Sequence, residues 1–232
     1  MTLLRTEGLT ARYGDAQALF GSDFRLDAGE VVAIIGANGA GKSTFMKALS
    51  GLVRAAPAQV RLDDEPIGGL PPGDIVRRGI ALVPEGRRLF PSLSVTENLL
   101  MGATARRAGP WTLDRVHALF PILREKGAQP ATSLSGGQQQ MVAIGRALMA
   151  NPRVLHCDEL SLGLAPVVIQ EIYQAVPALC AEGTTLVIVE QDVALAQRVS
   201  RRVYCFQEGR VALEGASAAL TREQISQAYF GV

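Results

Sequence analysis

Continuous apolar runs alternate along the chain with segments of helical periodicity. Helical patterns occupy 42–51, the segment from Pro166, and 192–200. The apolar runs between them are "EVVAIIG" (30–36), "GIALVPE" (79–85), "RVLHCDE" (153–159) and "TTLVIVE" (184–190). Strands that are apolar throughout and separated by helices are typical of a parallel sheet covered on both faces. The pattern therefore predicts an α/β fold.

Two regions depart from this alternation. Residues 1–30 alternate in polarity as an antiparallel β meander does, and residues 86–150 carry helical patterns with no strand between them. We interpret 86–150 as a helical subdomain inserted into a core made of 31–85 and 151–232, the whole chain forming a single domain. Pro177 falls inside a helical stretch, where the missing N–H predicts a kink or a break.

Composition and charge narrow the classes of partner. A chain of 232 residues that is 48% hydrophobic can bury the core of a folded domain. The 23 Lys and Arg residues against 22 Asp and Glu give a net charge of +1, so the sequence lacks the basic field of a nucleic-acid binder. The first ten residues contain no apolar signal segment, and no apolar run approaches the length of about 20 residues that spans a membrane. We expect a cytosolic protein that does not itself cross a bilayer.

The cysteines bear on the compartment and on metal binding. Cys157, Cys180 and Cys205 are odd in number and lie far apart in the sequence. This spacing gives no zinc motif and no disulfide framework, and it fits a reducing compartment.

A glycine-rich loop lies between the first apolar run and the first helical pattern. "GANGAGKS" (36–43) matches G-x-x-x-x-G-K-[ST] in the strand-to-helix context that this phosphate-binding motif requires. We expect Lys42 to reach the β and γ phosphates and Ser43 to ligate Mg²⁺. The residues expected to contact nucleotide are Gly36, Asn38, Gly39, Ala40, Gly41, Lys42, Ser43 and Thr44. The motif predicts binding of ATP or GTP.

Paired carboxylates end the strand predicted at 153–159. Asp158 is expected to hold Mg²⁺ through water, and Glu159 to orient and deprotonate the attacking water. A strand-end Asp-Glu pair is usually only a solvated loop start, and the phosphate loop is what favours the catalytic interpretation. His156 and Cys157 precede the pair, and we expect both to be core residues.

A second glycine motif, "LSGGQQQ" (134–140), precedes another amphipathic helix. Ser135 is predicted to be the N-cap, Gly136 and Gly137 permit close approach of a ligand to the backbone, and Gln138 follows in the first turn. One nucleotide cannot easily use two such helix N-termini of one subunit. The motif therefore suits a nucleotide held by another subunit, the alternative being an ordinary capped helix.

The order of these three motifs resembles that of the ATP-binding cassette (ABC) ATPases, and the resemblance covers essentially all 232 residues. It implies a P-loop NTPase core of the RecA-like type with a mainly parallel sheet, an N-terminal antiparallel β subdomain and an inserted α-helical subdomain. It also implies a head-to-tail dimer with two ATP molecules between the phosphate loop of one cassette and the "LSGGQ" signature of the other. Ser135 and Gly137 would then complete the partner's site.

The resemblance assigns roles to further positions. Tyr13 matches the aromatic residue that stacks on adenine, although a surface tyrosine of the meander is the open alternative. Glu85 stands where most members have a glutamine that contacts Mg²⁺ and the attacking water. Gln191 stands where most have a histidine against the γ-phosphate. "SLGL" (161–164) matches the loop that crosses the dimer interface, with Leu160 replacing a usual proline.

The departures at positions 85 and 191 have chemical consequences. The histidines of the chain, His117 and His156, are remote in sequence from Gln191. A glutamine amide donates a hydrogen bond to phosphate but carries no proton at neutral pH. Glu85 adds a carboxylate that the γ-phosphate repels in the absence of metal, so we expect strong dependence on Mg²⁺.

These departures resemble one branch of the family, the smaller ATPase of branched-chain amino acid importers. The resemblance implies a second ABC ATPase subunit as a partner, either a sister ATPase or a second copy of this chain. It also implies two membrane-spanning permease subunits, a periplasmic binding protein and a place on the cytoplasmic face of the inner membrane. Contacts with the permease would come from Arg87, Arg88, Leu89 and Phe90, although Leu89 and Phe90 also suit a subdomain core. The ATPase of an exporter or lipid transporter is the alternative within the fold, and a regulatory or DNA-repair module is the alternative outside transport.

Overall fold

The computed structural model describes residues 1–230. The strands are β1 (Thr2–Tyr13), β2 (Ala16–Asp27), β3 (Val31–Gly36), β4 (Val60–Leu62), β5 (Glu65–Pro66), β6 (Ile80–Val83), β7 (Val154–Asp158), β8 (Thr185–Val189), β9 (Arg202–Gln207) and β10 (Arg210–Ala216). The α-helices are α1 (Lys42–Leu49), α2 (Pro72–Arg77), α3 (Val95–Gly102), α4 (Leu113–Leu119), α5 (Pro121–Glu125), α6 (Gly136–Leu148), α7 (Pro166–Gln174), α8 (Val176–Ala181), α9 (Val193–Val199) and α10 (Arg222–Phe230). In residues 1–230 we find no helix of the length and apolarity that crossing a membrane demands.

The chain divides into two compact units, of which the first comprises Met1–Ile75 and the segment from Thr185 onward. This unit contains an antiparallel sheet in the order β2-β1-β4-β5. In it, β1 and β2 pair along nearly their whole length, from Thr2 opposite Asp27 to Tyr13 opposite Ala16. The predicted meander is thus an antiparallel β subdomain.

The same unit contains the strands that carry the phosphate loop. β3 runs parallel to β8 on one side and to β9 on the other, and β10 pairs antiparallel with β9. Nearly every residue of β3 is buried, which is why its sequence is apolar without alternation, whereas β10 alternates between exposed and partly buried positions.

An aromatic cluster packs helix α1 within the first unit. The ring of Phe45 on α1 lies 5.3 Å from Phe24 of β2 and 5.0 Å from Phe206 of β9, centroid to centroid. Tyr204 lies 4.8 Å from Phe24. Tilted and edge-on rings at these separations attract one another in addition to burying apolar area. The cluster therefore fixes α1, whose first residue is Lys42.

The second unit, Val76–Thr184, combines a parallel strand pair with helices. β6 pairs with β7 from Ile80 opposite Val154 to Val83 opposite Cys157. α6 packs on β6, α3 and α7. Between the two strands the chain is helical or irregular, apart from an isolated bridge between Ser94 and Pro130. The α/β fold and the strandless helical region are thus confirmed.

Other elements test the sequence pattern more finely. The predicted break at Pro177 is confirmed, because α7 ends at Gln174 and α8 begins at Val176. The hairpin of β9 and β10 and the helix α10 were not predicted from the sequence. The boundaries of the subdomains at 1–30, 31–85, 86–150 and 151–232 remain predictions.

Candidate nucleotide site

The phosphate loop begins at a glycine that the packing requires. Gly36, the last residue of β3, has φ of 147°, and a Cβ atom there would lie 2.3 Å from the carbonyl oxygen of Phe206. Gly39 has φ of 82°, and a Cβ at that position would meet nothing within 4 Å. Gly36 is thus required for close packing against β9. Gly39 is required for its backbone conformation and not for lack of space.

Lys42 is folded into this loop. Its side chain is buried, with the residue 4% exposed, and Nζ donates hydrogen bonds to the carbonyl oxygens of Gly36 at 2.7 Å and Ala37 at 3.0 Å. An ammonium group forms stronger hydrogen bonds with charged phosphate oxygens than with neutral carbonyl oxygens. The loop therefore fits a polyphosphate.

Two more predicted site residues, Tyr13 and Gln191, lie at this loop. The hydroxyl of Tyr13 is 3.5 Å from Oγ1 of Thr44, and the tyrosine is 50% exposed. Nε2 of Gln191 donates to Oδ1 of Asn38 at 3.4 Å. The first unit therefore brings together Tyr13, the phosphate loop and the residue at position 191.

The predicted carboxylates of the second unit end parallel, paired strands. Asp158 is the last residue of β7 and is buried, and Glu159 follows it with φ of 52°. Glu85 stands two residues beyond the end of β6 and is exposed. Because β6 and β7 are parallel, all three residues leave the same edge of the pair. Left-handed backbone at a non-glycine residue such as Glu159 is strained, and such strain concentrates at functional sites.

The two residues before Asp158 are core residues, as predicted. His156 and Cys157 are 0% and 1% exposed. Burial lowers the pKa of His156 to about 3, because an imidazolium ion would lose its hydration there. His156 is therefore neutral across the physiological pH range.

The signature motif forms the capped helix start that its sequence predicts. The N-cap is Ser135, whose Oγ accepts a hydrogen bond from the backbone N–H of Gln138 at 3.3 Å, and Oε1 of Gln138 accepts from the N–H of Ser135 at 3.2 Å. This reciprocal pair is a capping box. Gly136 and Gly137 are the first two residues of α6, so their N–H groups lie at a helix N-terminus that suits an anion.

No sequence motif pointed to Arg146, which lies on the same helix. Its guanidinium group donates to the carbonyl oxygens of Arg88 at 2.8 Å and Arg87 at 2.9 Å. It also lies 5.4 Å from the centroid of the Phe90 ring. One signal for it was present, a single charged residue in the apolar run "MVAIGRALMA".

A strand-to-helix phosphate loop, a strand-end Asp-Glu pair and a capped glycine signature together define a nucleotide-hydrolysing P-loop protein. The ABC transporter family model matches residues 19–161. The high-affinity branched-chain amino acid transport ATP-binding protein BraG of Pseudomonas aeruginosa is 44% identical over 232 residues, which cover 99% of this chain and 100% of that protein. The chain belongs to the ABC transporter family, and it is an ATP-hydrolysing subunit of that type.

Solved structures agree with this assignment. A nucleotide-free ATP-binding cassette from an ABC transporter superposes with a TM-score of 0.82 at 29% identity, covering 98% of this chain and 95% of that one. The ADP conformation of an ATP-binding cassette superposes with a TM-score of 0.77 at 30% identity, covering 98% and 94%. The fold is therefore that of the ABC ATPases, and the chain binds adenine nucleotide.

Proposed function

We propose that this chain is the ATPase subunit of an importer that takes up branched-chain or related hydrophobic amino acids. The observation that supports this most directly is the similarity to BraG, which extends over the full length of both proteins. The glutamic acid at position 85 and the glutamine at position 191 favour the same branch of the family over exporters. The substrate itself is selected by other subunits.

In this function the first unit binds the nucleotide. Lys42 exchanges its carbonyl partners for the β- and γ-phosphate oxygens, and the N–H groups of the loop and of the first turn of α1 contact the same phosphates. Tyr13, whose ring is half exposed, stacks on adenine. The amide of Gln191 donates to the γ-phosphate, and it does so without carrying a proton.

The residues expected to bind Mg²⁺ carry the type of oxygen donor that this ion prefers. Ser43, Asp158 and Glu85 would hold the ion, Asp158 through water, and a hydroxyl with carboxylates is the donor set that Mg²⁺ prefers beside phosphate oxygens. When bound, the ion neutralises charge on the phosphates. Among the described residues, no three His, Cys, Asp or Glu side chains cluster as a metal site by themselves.

Glu159 is the general base of the reaction. Its carboxylate accepts a proton from water as the water oxygen forms a bond to the γ-phosphorus, and the bond to the β–γ bridging oxygen breaks to give ADP and phosphate. The left-handed backbone at Glu159 fixes the direction in which its side chain leaves β7.

The working form is a head-to-tail dimer with a second cassette. Ser135 uses a lone pair in its capping hydrogen bond, so its O–H can still donate to the γ-phosphate of a nucleotide bound by the partner. The N–H of Gly137 serves the same nucleotide, with Gly136 and Gln138 adjacent. ATP binding closes the dimer, and hydrolysis opens it.

The remaining partners place the protein at a membrane. Two permease subunits hold the dimer peripherally on the cytoplasmic face of the inner membrane, and a periplasmic binding protein delivers the solute. The net charge of +1 gives no electrostatic reason to bind nucleic acid.

Co-purification tests this assignment. The chain is tagged in its native host, membranes are solubilised gently, and the bound proteins are identified. We expect a second cassette, two hydrophobic permeases and a binding protein that binds leucine-like amino acids. Recovery of an exporter-type membrane protein would favour the alternative transporter class, and recovery of only soluble proteins or nucleic acid, while a control transporter stays intact, would refute transport.

The catalytic step has its own test. Glu159→Gln should bind ATP and dimerise without turnover, because the amide cannot accept the proton from water. Glu171→Gln, a change of the same kind on the exposed side of α7, should hydrolyse ATP at the wild-type rate. Rapid hydrolysis by Glu159→Gln would remove Glu159 from the mechanism.

A further inference from the structure

Helix α6 carries the signature at one end and Arg146 near the other. Arg146 lies eleven positions after Ser135, a rise of about 16 Å at the helical repeat. Arg146 donates to the carbonyl oxygens of Arg87 and Arg88 with separate nitrogens, Nη2 and Nη1. Only a planar guanidinium group offers two donors in this fixed fork, so a lysine at this position could replace at most part of the contact.

The same segment also returns to the first turn of α6. Nη1 of Arg87 lies 3.5 Å from Oε1 of Gln139. A Cβ atom on Gly136 would lie 3.2 Å from Nη2 of Arg87, so this guanidinium group rests against the signature glycine. The segment 87–90 is therefore attached to α6 at two levels, one at the signature and one at Arg146.

The backbone of the segment depends on these attachments. Arg87 and Arg88 have φ of 65° and 48°, a left-handed conformation that persists at non-glycine residues only where neighbours impose it. Arg146 is the side chain that binds the carbonyl oxygens of both residues. Asn98 of α3 holds the end of the segment, accepting from the N–H of Phe90 at 2.9 Å and donating to its carbonyl oxygen at 3.1 Å.

Phe90 presents the outer surface of the segment. It is 42% exposed, and the guanidinium group of Arg146 lies over its ring. An exposed aromatic side chain on a segment that hydrogen bonds hold in place can serve as a contact for a partner protein.

We propose that Arg146 is a positioning residue that makes segment 87–90 and the signature helix α6 move as one body. The proposal rests on the proposed function, in which a permease contacts Phe90. Displacement of Phe90 then carries the N-terminus of α6 with it, together with Ser135 and Gly137. The two directions of coupling, from permease to signature and from nucleotide to permease, have equal free energy at equilibrium.

The test uses the intact transporter in lipid vesicles, with Arg146→Met and Arg146→Lys in this chain. The control is Arg115→Lys, on α4 of the same unit, where the arginine makes an exposed ion pair with Glu182. The measurements are the affinity for ATP, the ATP hydrolysed and the amino acid imported. We expect wild-type affinity for ATP in all three variants, and a fall in amino acid imported per ATP of about threefold to thirtyfold in Arg146→Met, with a smaller fall in Arg146→Lys.

A second variant, Phe90→Leu, tests the proposal if Arg146→Met does not fold. Phe90→Leu keeps the exposed apolar surface and removes the ring face, so it should fold and should lower the import per ATP in the same direction. A purely structural role would lower hydrolysis and import together and leave their ratio unchanged in every variant, which would overturn the proposal alone. A wild-type complex that hydrolyses ATP but imports no amino acid would overturn the proposed function, and this proposal with it.

Discussion

Nε2 of Gln191 donates a hydrogen bond of 3.4 Å to Oδ1 of Asn38. The bond joins Gln191, two residues beyond the end of β8, to the phosphate loop that follows β3. Because β3 and β8 are parallel neighbours, with Ile34 opposite Val189, both loops leave the sheet at the same edge. Position 191 is therefore tied to the phosphate loop by the pairing of these strands.

Replacing Gln191 by histidine should make ATP binding depend on pH. An imidazolium ion adds positive charge beside the phosphates below its ordinary pKa of about 6.5, and the neutral imidazole does not. The ratio of variant to wild-type affinity should therefore be higher at pH 5.5 than at pH 8, and it should begin to fall as pH rises through about 6.5, the unperturbed pKa. Equilibrium titration with nucleotide at each pH measures the affinities. Gln191→Ala is the control, and its ratio should not change with pH. A flat ratio for Gln191→His would place this side chain away from the phosphates.

Removing the ammonium group of Lys42 should weaken nucleotide binding. Charge-assisted hydrogen bonds contribute about 1.5–3 kcal/mol, so Lys42→Met should raise the Kd for ATP by about tenfold to a hundredfold. Lys47→Met, on the exposed side of α1, removes the same charge without a contact to the loop and should change the Kd by less than about twofold. Equal effects of the two substitutions would mean that only net charge matters.

The two signature glycines should differ in their tolerance of alanine. A Cβ atom on Gly137 would lie 2.3 Å from Cγ1 of Val168 on α7. On Gly136 its nearest neighbour would be the flexible end of the Arg87 side chain, at 3.2 Å. Gly137→Ala should lower the free energy of unfolding by about 1–3 kcal/mol through overpacking, and Gly136→Ala by less than about 1 kcal/mol.

Chemical denaturation measures both free energies of unfolding. Val168→Ala should raise the free energy of unfolding of the Gly137→Ala protein, because it removes the atoms that clash. In the wild type, where nothing clashes, the same substitution should lower it. If Gly137→Ala unfolds like Gly136→Ala, the contact between α6 and α7 does not limit this position.

Buried His156 should make the protein less stable in mild acid. Its pKa is about 3 in the folded state. In the unfolded chain it is near 6.5, about the ordinary value, so only the unfolded state binds the proton between these values. Stability should therefore fall as pH drops below about 6.5, by up to about 1.4 kcal/mol per pH unit from this residue.

The matched variant is His156→Leu, which keeps the size of the side chain and cannot titrate. Denaturant unfolding at pH 7.5, 6 and 5 should show wild type losing about 2 kcal/mol relative to the variant over that range. Burial also lowers the pKa of His117. Because His117 is present in both proteins, its contribution to the pH dependence cancels in the comparison. Parallel pH profiles would show that the fold admits a proton at His156.

The parts of the fold that the sequence predicted are those encoded over short distances. The apolar run of β3 followed by the glycine-rich loop predicted both the strand and the start of α1. Ser135 and Gln138, three residues apart, predicted the capping box. The break before Pro177 followed from the missing N–H of a single residue. Each depends on neighbours within one turn or one strand, where the backbone and a nearby side chain decide the conformation.

The elements that escaped prediction depend on contacts between residues far apart in sequence. The pairing of β9 with β3 places the carbonyl oxygen of Phe206 against Gly36, from 170 positions away. Arg146 contacts residues 58 and 59 positions earlier, and its own sequence context indicates only a buried helix. No periodicity or motif reports such contacts.

The sequence by itself determined the class of fold, the phosphate loop, the capped signature and the strand-end carboxylates, because these motifs are written in consecutive residues whose backbone conformations are set locally. Only the tertiary structure decided that Lys42 is buried on its own loop, that Gln191 reaches Asn38, and that Arg146 ties the segment after Glu85 to the signature helix. These relationships arise when strand pairing and helix packing bring distant segments together, and their free energy is gained only once that packing has formed.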